Sequence, residues 1–78
     1  MSEEVSLWKV LRNGRQLELG DLSQWEIDIG DSTKTLIWTP TARLKIDEVE
    51  DDKLFPHRIT NLDTSEPDVV RARCVFGR

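Results

Sequence analysis

Apolar and polar positions along this chain alternate in short runs broken by turn residues. Asn13-Gly14, Gly20-Asp21, Gly30-Asp31-Ser32, Thr39-Pro40 and Asp51-Asp52 recur about every ten residues, and a further break runs from Asp63 to Pro67. That spacing predicts an all-β sandwich or barrel. Asn13-Gly14 is a strong hairpin signal, because both central positions of a type I′ turn need positive φ. If those two residues form the loop, Leu11 faces Gln16, Val10 faces Leu17, Lys9 faces Glu18 and Trp8 faces Leu19. Val10, Leu17, Trp8 and Leu19 then share one face. Lys9 opposes Glu18 on the other, so turn chemistry and hydrophobic pattern select one register. A helix over 3–12 competes, with Ser2 as N-cap and Gly14 as its stop.

Trp25 to Ile29 alternates apolar and acidic residues, which predicts a half-buried strand. Residues 34–39 read as a strand ended by Pro40. Ala42, Leu44 and Ile46 alternate with Arg43, Lys45 and Asp47 and predict another, and Glu48 to Asp52 reads as an acidic loop. In the last hairpin, Phe55, His57 and Ile59 share a parity. After a 61–67 connection, Val70, Ala72, Cys74 and Phe76 share a face, and Val69, Arg71, Arg73 and Val75 the opposite one. Six to seven short antiparallel strands in a single domain over 1–78 favour a small barrel, SH3-like or related, because closure removes exposed edges.

Composition narrows the function classes. The chain has 78 residues, 37% hydrophobic and 33% charged, with a formal net charge of -4. Phosphate backbones demand clustered positive charge, so general nucleic-acid binding is disfavoured. Cys74 is the single cysteine and His57 the single histidine, which leaves no internal disulfide and no zinc set. No apolar run reaches the length of a membrane span, and the acidic start lacks the features of a secretory signal. A cytoplasmic protein without a membrane partner is expected.

The candidate chemistry is sparse. His57 and Cys74 are the available base and thiol, and one register of the last hairpin sets them opposite each other. A small buried cysteine is the simpler reading of Cys74. The acidic 48–52 run lacks the glycine of a calcium loop and reads as a solvated loop. No phosphate-cradling, metalloprotease or nucleophile-elbow motif occurs, so neither cofactor nor metal nor catalysis is expected. Arg58, Arg71 and Arg73 fall on one outer face of the last hairpin, where guanidinium forks can receive an acidic or phosphorylated partner. Ordinary solvation and ion pairing with the acidic loop is the alternative. Trp25 and Trp8 read as core. Trp38, before the proline, is the tryptophan best placed for a rim, where it can dock a partner, with core the simpler reading for it as well.

From Leu17 onward the chain resembles small bacterial β-barrel proteins of uncharacterised function. The resemblance is carried by Leu19-Gly20-Asp21-Leu22-Ser23-Gln24-Trp25-Glu26-Ile27, then Trp38, Phe55-Pro56, Ile59-Thr60-Asn61-Leu62 and Val70-Arg71-Ala72-Arg73. Leu22 and Gln24 depart from the turn of that group. The resemblance implies a barrel and no activity. The expectation is a non-catalytic module that binds another protein through Arg58, Arg71, Arg73 or Trp38, with a nucleic-acid-binding barrel as the alternative.

Overall fold

The computed structural model describes residues 3–64 and 68–77. Strand β1 spans Glu3–Leu11, β2 Gln16–Leu19, β3 Gln24–Ile27, β4 Arg43–Glu48, β5 His57–Asn61 and β6 Asp68–Phe76. All pairings are antiparallel, and the ring closes in the order β1-β2-β3-β6-β5-β4. The expected small antiparallel barrel is therefore observed, with six strands. Residues 3–12 contribute a strand and not the competing helix, whose Ser2 cap lies outside the described residues. The 61–67 connection is described only as far as residue 64.

The first hairpin holds the anticipated register near its turn: Leu11 opposite Gln16, Val10 opposite Leu17, Lys9 opposite Glu18. Asn13 (φ 58, ψ 38) and Gly14 (φ 88) supply the two left-handed positions of a type I′ turn, and the Arg15 N–H donates to the Arg12 carbonyl. Below this the register slips. Leu7, not Trp8, lies opposite Leu19, so Trp8 is the extra residue of a β-bulge. Val5 and Leu7 can then face inward below the bulge while Val10 faces inward above it. Trp8 is turned out to 59% exposure, which corrects its assignment to the core.

Inside, Leu7, Leu17, Leu19, Trp25, Ile27, Leu44, Ile59 and Val70 are buried to within 1%. Each such aliphatic side chain contributes roughly 1.5–3 kcal/mol relative to exposure. The Trp25 indole keeps a polar partner, because its Nε1–H donates to Ser23 Oγ at 2.8 Å, and Ser23 Oγ donates to Asp21 Oδ1 at 2.5 Å.

Strand β3 stops at Ile27, earlier than its alternation predicts. The Asp28 carboxylate accepts the Gly30 N–H and starts a 3-10 turn over Ile29–Asp31, which leaves Ile29 exposed. A one-turn helix α1, Ser32–Thr35, follows. The expected strand over 34–39 does not form. In the closed ring β3 and β4 stand on opposite sides, so the segment joining them must cross an end of the barrel and cannot pair in its wall. It lays Thr35, Trp38 and Ala42 over that end as a plug and turns Leu36 and Ile37 to solvent. The Thr35 hydroxyl, fully buried, lies 2.5 Å from the Gly14 carbonyl oxygen and donates to it, pinning the hairpin tip to the helix.

Candidate functional site

Strand parity sets Arg71 and Arg73 outward on β6 and Arg58 outward on β5. The β5–β6 register places Arg58 directly opposite Arg71. Two like charges in that position repel unless a counter-charge lies between them. Asp52 supplies it. The 49–56 loop between β4 and β5 folds back over the wall. Asp52 Oδ2 accepts from Arg58 Nη2 at 3.2 Å and from Arg71 Nε and Nη2 at 3.0 and 2.7 Å. Its other oxygen accepts the Leu54 and Phe55 N–H groups. The Phe55 N–H above all, then the Arg71 and Arg58 guanidiniums, pull the Asp52 carboxyl down to about 2.

Arg71 is further held by Asp28 Oδ2 at 2.5 Å, and its backbone N–H donates to Asp31. Arg73 donates to Glu26 Oε2 at 2.8 Å. The Phe55 ring lies 5.4 Å from the Arg71 Cζ and 5.9 Å from that of Arg73, within cation–π range. The three arginines do converge on one face, as the sequence predicts. The same geometry neutralises each of them with a carboxylate of this chain, and it makes the face a clasp for the acidic loop.

Trp38 is placed elsewhere. It is 5% exposed in the end plug, and its indole N–H donates to Asp68 Oδ2 at 3.2 Å. Of its two readings the core one holds and the rim one is corrected, because the crossing segment needs a large apolar group to seal the barrel end. His57 and Cys74 are not opposite each other. The register pairs His57 with Ala72 and Cys74 with Trp25. The His57 ring meets the Trp25 ring edge-on at 4.9 Å, and its Nδ1 has no hydrogen-bond partner among the described residues. Cys74 Sγ is directed to the Phe76 carbonyl. Among the described residues no three His, Cys, Asp or Glu side chains are grouped to hold a metal, and no helix is long and apolar enough to cross a membrane.

Two features escaped the sequence reading. One is Trp8, whose exposure depends on the bulge. The other is a cleft of about 170 Å³ walled by Arg12, Arg15, Gln16, Glu26 and Val75. A signal for the cleft was present, since a two-residue Asn13-Gly14 loop sets Arg12 against Arg15. Val75 joins it through a second bulge: Cys74 pairs with Trp25 and Phe76 with Gln24, so Val75 is the extra residue. No family model, no curated protein and no solved structure matches the chain.

Proposed function

We propose that the protein is a non-catalytic interaction module that binds another protein, with Trp8 as the anchor. The observation that carries this reading is the β1 bulge. A strand that could have continued its alternation inserts one residue, and the inserted residue is an indole presented to solvent. Bulges re-aim side chains, and tryptophan is over-represented among the residues that dominate protein interfaces. The separation of His57 from Cys74 supports the non-catalytic part. We place the contact on β1 and its hairpin and not on Arg58, Arg71 and Arg73, whose guanidiniums are already engaged. We further read the barrel as SH3-like or related, a scaffold whose outer surface serves varied partners, and the lone thiol as that of a cytoplasmic protein.

Quantitative capture from a lysate of the source organism, with wild type and Trp8→Ala side by side, tests this. An interface anchor truncated to alanine loses about 2 kcal/mol or more, so capture of any specific partner drops about thirtyfold or beyond. Equal capture by both proteins, or no specific partner for wild type, overturns the reading.

A nucleic-acid-binding barrel is the second reading. It is favoured by Arg12 and Arg15, which stand at the tip of the hairpin that exposes Trp8, a pairing of cation and stacking surface. The net charge of -4 opposes it. Saturable binding of a single-stranded oligonucleotide at low salt, weakening steeply as salt rises, supports this second reading; flat titrations remove it.

A further inference from the structure

Arg43, Arg58, Arg71 and Arg73 each hold a carboxylate, as do Lys9, Lys34 and Lys45. Among the described residues Arg12 and Arg15 form no ion pair, although both are exposed and both wall one cleft. Glu26, in the same wall, already accepts from Arg73. In a chain with more acid than base, two guanidiniums left unpaired side by side mark a place kept for an anion from outside.

The backbone that carries them is fixed before any ligand arrives. Arg12, Asn13 and Gly14 are all left-handed, with φ of 53, 58 and 88. Arginine gains nothing locally from that conformation, and such strain persists only where surrounding structure holds it. The surrounding structure here is α1: the Thr35 hydroxyl grips the Gly14 carbonyl, and the Ser32 backbone packs against the glycine. The backbone of the tip is therefore held, so an anion binding between the two forks has to order the two exposed side chains but not the turn that carries them.

The chemistry of the walls selects among anions. The cleft is smaller than a drug-sized ligand needs, so it takes a single side chain or group. The Glu26 carboxylate disfavours a dianion close by and tolerates a monoanion. Val75, exposed by its bulge, offers an apolar wall beside the charges, and Gln16 an amide whose Nε2–H is committed to Gln24. A carboxylate on a short stem, flanked by an apolar residue, matches the two guanidiniums and Val75 and is tolerated beside Glu26. We propose that this cleft receives an aspartate or glutamate side chain from an acidic segment of the partner protein. The proposal rests on the reading of the protein as an interaction module.

The probe is acetyl-Glu-Val-Glu-amide titrated into the full chain labelled with nitrogen-15. The expected result is saturable shifts at the Arg12, Arg15, Gln16 and Val75 amides. The same peptide with glutamine for glutamate leaves them still, and Arg12→Gln/Arg15→Gln weakens binding about tenfold or more with the core resonances unmoved. No saturable shift, equal response to the glutamine peptide, shifts centred on Arg71 and Arg73, or equal affinity for inorganic phosphate overturns the proposal. Trp8→Ala separates the two claims. If partner capture depends on Trp8 while the peptide fails to bind, the cleft proposal falls alone. If capture is indifferent to Trp8 while the peptide binds in the cleft, the Trp8-anchored reading falls and the carboxylate site stands.

Discussion

Gly14 joins several demands in a single residue. Its φ of 88 closes the hairpin turn, and a Cβ there would lie 2.6 Å from Thr35 Oγ1 and still closer to the Ser32 carbonyl oxygen. Ser32 Oγ and Thr35 Oγ1 are themselves hydrogen-bonded, so neither element gives way freely. Gly14→Ala is expected to cost about 2 kcal/mol or more, from left-handed strain together with overpacking, and urea unfolding checks it. A loss below about 0.5 kcal/mol would mean that the tip is not pinned. The turn type was legible from Asn13-Gly14, because the dihedral demand is local. The glycine's second role was not, because Ser32 and Thr35 reach it only once residues 28–42 cross the barrel end.

At the scale of elements, the Asp52 carboxylate ties the 49–56 loop to the wall, beside the Arg58 guanidinium that donates to the Phe55 carbonyl. Asp52 titrates near 2 when folded against an ordinary 3.8, so between those values the unfolded chain binds a proton that the folded chain refuses. Stability from this group is complete above the ordinary value and is lost as pH falls through about 2. Asp63, lowered by the Arg43 backbone N–H and guanidinium, acts in the same direction. Asp52→Asn should therefore flatten the acid limb of the urea midpoint against pH, and an unchanged limb would sink the assignment. The arginines' shared face was readable from parity. Pairing with the acidic loop was readable as the alternative, but not that Asp52 is the residue that reaches Arg71, across 19 positions of sequence through a loop with no periodic signal. The same holds for residues 34–39. Threonines, Leu36, Ile37 and Trp38 have strand propensity, and only the ring order denies them a place in the sheet. Trp8 was misplaced for the opposite reason: apolar residues occupy both parities of β1, so either face was a consistent solution until the bulge divided them.

For the whole molecule, closure of the ring is the governing fact. Among the described residues no strand is left with an open edge, so every wall depends on the others. Unfolding should be a single cooperative transition, with Trp fluorescence and far-ultraviolet circular dichroism superimposing along a urea titration. Transitions that separate would mean that β1-β2-β3 and β4-β5-β6 come apart as independent units. Barrel class was legible because its evidence is distributed over every turn and every alternating run. The choice of six strands and of which pairs close the ring depends on contacts between distant segments.

Those contacts set the time course of folding. Each three-strand meander forms from neighbours in the chain, but the two seams join Glu3 to Ile46 and Ile27 to Ala72. Each seam must close a long loop, the shortest from Ser6 to Arg43 in one and from Ile27 to Ala72 in the other, before its hydrogen bonds and buried side chains compensate the lost chain entropy. During synthesis β1 and β2 leave the ribosome long before β4 and β6 exist to cover them. The first meander, Trp8 included, therefore waits with its inner apolar face open to water, and the nascent chain is most prone to wrong associations in that interval.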